Sequence, residues 1–145
     1  MAKQKSTTAR VLDLLRTVPL FSACTKKEFS LMAQIVEEHE HSAGDVICRE
    51  GDTGLGLYVI MEGETEIKVG GHTQRRLGPG AFFGEIALLD GGPRTATVIA
   101  ETPVRLLTIP AWSFNAVLKS QPSLAIKMLQ EICRRMRADQ SSIRT

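Results

Sequence analysis

The spacing of apolar positions changes twice along the chain. Over residues 1–36 it is helical. Val11, Leu12, Leu14 and Leu15 make a short apolar face that Pro19 stops. Thr25 stands at an N-cap position with Glu28 three residues on, the capping-box pattern, and Phe29, Met32, Ala33 and Val36 carry the period to about Val36. From Glu37 to Pro110 glycines gather and β-branched residues fill the apolar positions. Strand-like runs fall at 45–49, 57–61, 65–69, 73–77, 95–100 and 104–109, divided by Gly/Pro turns. Short strands at intervals of roughly ten residues predict an antiparallel sandwich or barrel. Gly56, inside a run, predicts a bulge or a close backbone approach. After residue 110 the spacing is helical again. Trp112–Lys119 reads as one short helix, and Ser123 as the cap of a longer one that reaches Arg137 or beyond. Ala125, Met128, Leu129, Ile132, Cys133 and Met136 form its stripe. The fold class expected is mainly β with flanking helices: a single domain over 1–145, with an N-terminal helical lead (1–36), a β-roll (37–110) and C-terminal helices (111–145).

Composition narrows this picture. The chain has 145 residues, 43% hydrophobic and 23% charged, the proportions of a globular domain with its own core. Its net charge of +2 gives no general drive toward nucleic acid or an anionic membrane. No apolar run nears the roughly 18–20 residues of a membrane span. The polar, basic start MAKQKSTTAR lacks the hydrophobic segment of a secretory signal, and no helix-turn-helix is expected after the last helix. Three cysteines without a CxxC spacing fit a reduced, cytoplasmic protein. Charge is unevenly spread. Residues 37–66 hold nine acids against Arg49 alone, while 1–30 and 123–145 are basic. Solvated surfaces explain that pattern, as does contact of the basic ends with something anionic.

The stretch Leu77–Val98, LGPGAFFGEIALLDGGPRTATV, carries the chemistry. Gly78–Gly80 is a turn, Phe82 and Phe83 bury the chain, and Gly84 frees the backbone. Glu85–Leu89 suits one helical turn, whose unpaired N-terminal amides from Glu85 to Ala87 make an anion site. Arg94, nine residues after Glu85, is placed to fold back and offer a bidentate guanidinium to phosphate. Glu85, an acceptor only, is a poor phosphate ligand and a good one for a ribose hydroxyl. These groups describe a nucleotide monophosphate pocket. The same spacing also allows an ion pair between Glu85 and Arg94 that closes a turn.

The run GEIALLDGGPRTATV resembles the phosphate-binding cassette of the cyclic nucleotide-binding domain family. That family includes catabolite-activator-type regulators, regulatory subunits of cyclic-AMP-dependent kinase and cyclic-nucleotide-gated channels. Its pattern GE(I/L/M)AL…PR(S/T)A is matched without a gap over 84–96. VPLFSACTKKEF resembles the family's helical lead, GDTGLGLYVIMEG its early strands, and LGPGAFFGE is most similar to the bacterial channel branch. The resemblance implies roles. Glu85 accepts from the ribose 2′-hydroxyl, and Arg94 pairs with the equatorial phosphate oxygen. The amides of Ile86, Ala87 and Ala96 donate to the cyclic phosphate, and Gly84 admits the ribose. Thr95 sets its hydroxyl near phosphate or the purine edge. Phe83 and Leu88 form the apolar wall, with Val69 and Leu77 beside them. A Thr at 95 is compatible with cyclic AMP and is often linked to cyclic GMP in the family, so it leaves the base open; the ligand expected is a cyclic purine nucleotide, cyclic AMP favoured and cyclic GMP possible, with no cofactor or metal.

In that family the last helix closes as a lid over the base. Counted from Pro122, the base-stacking arginine is Arg135, with Arg134 and Arg137 on neighbouring faces. Met136 either caps the pocket or continues the stripe. A solvated basic helix, or a homodimer through the same stripe, would use these residues as well. The expected role is thus a sensor without catalysis, whose helix movement signals to an unnamed effector or adjoining domain. Two other classes stand beside it. His39 and His41, on one face of a polar edge strand, resemble part of a cupin metal motif, which would make the chain a metal-dependent enzyme. A ligand-free interaction domain of the same fold is the other.

Overall fold

The computed structural model describes residues 8–53 and 56–143, with the side chains of residues 8, 85–87 and 139–143 outside that description. Helix α1 (Thr8–Arg16) leads through a 3₁₀ turn (Pro19–Phe21) to α2 (Lys26–Ile35). The capping box forms as the sequence predicts. The Glu28 amide donates to the Thr25 hydroxyl at 3.2 Å, and the Thr25 amide donates to the Glu28 carboxylate at 2.9 Å. Eight strands follow among the described residues: β1 (Glu37–His41), β2 (Val46–Cys48), β3 (Gly56–Glu62), β4 (Thr65–Val69), β5 (His72–Leu77), β6 (Phe82–Phe83), β7 (Thr97–Ala100) and β8 (Val104–Pro110). Helix α3 (Glu85–Asp90) interrupts them, and α4 (Ala111–Ser120) and α5 (Pro122–Ile143) close the chain.

The strands form two four-stranded antiparallel sheets, ordered β1-β8-β3-β6 and β2-β7-β4-β5. Alternation along β3 and β8 explains how one sheet serves two cores. Leu57, Val59 and Met61 of β3, with Leu107 and Ile109 of β8, pack on the helices around Leu15, Phe21, Met32 and Phe114. Ile60, Leu106 and Val104 point the other way, into the roll, where Tyr58, Leu77 and Phe83 pack against them. Gly56 is where β3 meets β8 most closely. Its φ is +156°, and a Cβ there would collide with the Ile109 carbonyl. The close approach expected at this residue is therefore present.

Three local expectations are corrected. Phe82–Phe83 is a two-residue strand paired with Val59 and Tyr58, not simply buried chain. Gln121 ends α4, so α5 begins at Pro122, whose fixed φ and missing amide suit a first helical position. Ser123 is thus inside the first turn of α5 and is no cap. Its hydroxyl donates to the Glu28 carboxylate at 3.2 Å.

That last bond belongs to a junction between the two ends of the chain. Glu28 is 3% exposed and accepts from the Lys127 ammonium at 2.8 Å as well as from Ser123 and the Thr25 amide. Leu124 and Met128 are buried beside it on the same face of α5. Burial pushes the Glu28 carboxyl up, but the bonds from Lys127, Thr25 and Ser123 outweigh burial and hold it below the usual carboxylate range. A depressed carboxyl stabilises the fold above its unfolded value, and that contribution fades as pH falls through the lower, folded value. Stability should therefore drop in mild acid more steeply for the native chain than for Glu28→Gln. At neutral pH the variant should lose about 1–3 kcal/mol, since it weakens a buried charged network. Urea melts across pH check both; parallel pH profiles would contradict this role of Glu28.

Candidate functional site

A cavity of about 740 Å³ opens between the inner face of the β2-β7-β4-β5 sheet and the segment from Phe82 to Ala96. Arg94 is built into it by backbone first. Its amide donates to the Asp52 carbonyl at 2.7 Å, its carbonyl accepts from the Gly51 amide at 2.8 Å, and Thr53 bridges to Pro93. These bonds aim the side chain inward, where the residue is only 7% exposed. Its Nη2 donates to the Gly56 carbonyl at 2.7 Å. Its guanidinium carbon lies 5.1 Å from the centre of the Tyr58 ring, which stacks on Phe83 at 5.0 Å. Its Nη1 is buried and has no hydrogen-bond partner among the described residues. A buried donor left unpaired costs about 1–3 kcal/mol, more when charged. The arginine is thus fixed on one side and, among the described residues, unsatisfied on the other.

Gly84 permits this arrangement. Its φ is +84°, a backbone region that favours glycine, and a Cβ there would collide with Arg94 Nη1 and stand 2.7 Å from the Gly56 carbonyl. Helix α3 starts directly after it. The Leu88 amide donates to the Gly84 carbonyl at 3.1 Å and closes the first turn. The amides before Leu88 have no partner within a helix of any sequence.

The thiol and phenol beside Arg94 are neutral. Burial raises the Cys48 thiol above its ordinary range, and Arg94 only partly offsets it. Tyr58 behaves alike, raised by burial and pulled back by Arg94. Both stay protonated near neutral pH. Among the described lining side chains Asp90 is the one acid, and its carboxylate accepts from the Gly92 amide at 2.7 Å.

Of the residues singled out from sequence, Phe83, Gly84, Arg94, Thr95 and Ala96 all line this cavity, as do Val69 and Leu77. The backbone of Glu85, Ile86 and Ala87 opens α3, while their side chains lie outside the described residues, so the Glu85 carboxylate has no placement here. Leu88 is a correction. It is fully buried with the helix-side core rather than on the cavity wall, because α3 turns that face toward α4. Arg135 is not a lining residue either. It sits on α5 with its Nε donating to Glu131 on the preceding turn at 3.2 Å. Cys48, Ile67, Gln74 and Arg75 line the cavity and were missed. Once the faces of Val69 and Leu77 are known to point inward, Ile67 and Arg75, two residues earlier, follow on the same strand faces.

His39 and His41 sit on β1, at the edge of the other sheet. His39 Nε2 lies 3.0 Å from Glu37, and His41 Nδ1 lies 4.0 Å from Asp45. Burial, offset in part by Asp45, lowers the His41 value. No three His, Cys, Asp or Glu side chains among the described residues come together as a metal site, so nothing favours the cupin reading. No helix among those residues is long and apolar enough to cross a membrane.

Comparison with known proteins converges on one family. The model of the cyclic nucleotide-binding domain matches residues 38–121. The chain belongs to the cyclic nucleotide-binding domain family. A cyclic nucleotide-gated potassium channel of Mesorhizobium japonicum is 37% identical over 113 residues, 78% of this chain and 31% of the channel. The N-terminal domain of a transcriptional regulator from Streptomyces coelicolor superposes with a TM-score of 0.82 at 32% identity, covering 89% of this chain and 96% of that one. The regulatory domain of Toxoplasma gondii PKA, solved with cAMP, has a TM-score of 0.69 at 32% identity over 76% of this chain and 44% of its own. The chain spans 29–32% of the length of the curated channel relatives it matches.

Proposed function

We propose that this domain reversibly binds a 3′,5′-cyclic purine nucleotide and acts as a sensor without catalysing a reaction on it. The observation that carries this reading is the buried Nη1 of Arg94, beside Gly84 and unpaired among the described residues. A cyclic phosphodiester has one negative charge and two free oxygens. One guanidinium satisfies that charge, and the amides of Ile86, Ala87 and Ala96 supply further donors. Glu85 takes the ribose 2′-hydroxyl, Gly84 lets the sugar approach, and the Thr95 hydroxyl stands near phosphate or base. Phe83, Val69 and Leu77 supply apolar surface for the rings. This end of the cavity grips phosphate and sugar, which cyclic AMP and cyclic GMP share. The relative solved with cAMP supports the ligand class.

The output we propose is movement of α5. In its present position the helix is anchored near its start by Leu124, Met128 and the Glu28–Lys127 pair. Farther along, Leu129 and Met136 are 61% and 55% exposed. An Arg135 that exchanges Glu131 for a purine face would draw this outer part over the cavity mouth. A solvated apolar stripe gives the closed helix something to gain. An effector or adjoining domain would read the change.

Calorimetry with cyclic AMP and cyclic GMP tests the binding. Arg94→Ala should keep the fold and lose about 2–5 kcal/mol of affinity, as expected when a buried charge loses its partner. Undiminished affinity would refute the assignment. Amide exchange over residues 122–143 tests the lid: added nucleotide should slow exchange in the outer turns of α5, and identical exchange with and without ligand would exclude the movement.

A further inference from the structure

Strand β7 starts late. Its first residue, Thr97, pairs with Lys68 of β4, and residues 93–96 before it line the cavity instead of extending the sheet. β2 and β4 flank β7, so they lie two strand spacings apart, or roughly 10 Å. At the Thr97 end the middle strand is missing. β4 runs one residue past that rung to Val69, then turns through Gly70 and Gly71 into β5. Val69 lines the cavity and is 38% exposed. The hairpin tip therefore borders a gap in its own sheet.

Glu50, two residues after β2, spans that gap. Its amide donates to the Thr97 hydroxyl oxygen at 3.0 Å, and its carboxylate Oε1 accepts from the Gly70 amide at 2.9 Å. That amide lies in the turn, outside the strand ladder. The next two residues hold Arg94, through the bonds of the Gly51 amide and the Asp52 carbonyl to its backbone. Segment 50–52 thus fastens Arg94 by main chain and the hairpin tip by one side chain. The other polar ties of the hairpin lie elsewhere. Glu66 meets Thr73 at 2.9 Å and Lys68 at 3.3 Å within β4 and β5, and Arg76 meets Glu101 at 2.6 Å at the far end of the strands.

We infer that Glu50 is a positioning residue of the cavity: its carboxylate stands in for the missing rung and holds the hairpin tip, with Val69, at a set distance from Arg94. This rests on the cyclic-nucleotide reading and deepens it. The phosphate meets Arg94 on one side of the gap, and the apolar part of the ligand meets Val69 on the other. A tip left free must be ordered when the ligand arrives, and that ordering lowers affinity. The role needs an acceptor rather than a charge. A carboxylate near an anionic ligand is repelled by it, so position and charge predict opposite results when Glu50 is neutralised.

Calorimetry of the full chain with cyclic AMP and cyclic GMP tests this. Glu50→Gln keeps a carbonyl acceptor, and Glu50→Ala removes it. Glu50→Gln should bind as the native chain does, and Glu50→Ala about threefold to tenfold more weakly, the range of one hydrogen bond. Exchange of the Gly70 amide with water should quicken in Glu50→Ala and keep its native rate in Glu50→Gln. Glu50 is exposed, and matching thermal melts would show that both variants fold. Tighter binding by both variants would mean that the carboxylate acts only as a charge, and would overturn the inference. Unchanged affinity in Glu50→Ala, or an equal loss in both variants, would overturn it as well. If no nucleotide binds the native chain, the cyclic-nucleotide reading fails with it. If Arg94→Ala sharply weakens binding while Glu50→Ala leaves it intact, only the positioning role fails.

Discussion

A guanidinium that is desolvated but half-paired organises this domain. Arg94 surrenders its hydration on burial beside Tyr58 and Cys48, and one nitrogen recovers a carbonyl while another recovers nothing within the described residues. Such a group is tolerable only if the backbone holds it there. The ladder from Gly51–Thr53 does so, and the bare Cα of Gly84 leaves it room. The free energy left unsatisfied becomes available to an anion on arrival. Site and fold are thus linked through one residue.

The rest of the architecture follows from keeping that cavity open while burying enough surface elsewhere. β3 and β8 present alternate residues to two cores, so the helices are stabilised on one side of a sheet whose other side borders the roll. The helical lead and α5 meet at Glu28, which joins residues nearly a hundred positions apart in sequence. This junction lies at the start of α5. The outer turns, with their second apolar stripe facing solvent, are the part of the helix least tied to the body. The proposed movement of α5 rests on that asymmetry between its anchored start and its more exposed described turns.

How much of this was legible in the sequence depended on the range of the interaction. The capping box at Thr25 and Glu28 is local, and the helix starts where the pattern places it. The turn-strand rhythm is local too, and the β-roll follows from it. Arg94, Gly84, Thr95 and Ala96 were legible through a short gapless motif. Leu88 was misplaced because an apolar residue on one turn of helix has two candidate cores, and only the packing of α3 on α4 chooses between them. Ser123 resembles a cap in sequence because its partner, Glu28, lies far off in sequence. Ile67 and Arg75 escaped for a different reason. β4 and β5 carry mixed polar and apolar residues, and which face is inward becomes definite only once the sheets are paired.

Nuclear magnetic resonance of the guanidinium groups, titrated with a cyclic purine nucleotide, addresses the central claim most directly. The account predicts that the Arg94 Nη signals shift strongly and that their protons exchange more slowly with water once the ligand is bound. Arg94 signals that stay in place while other cavity resonances move would contradict it.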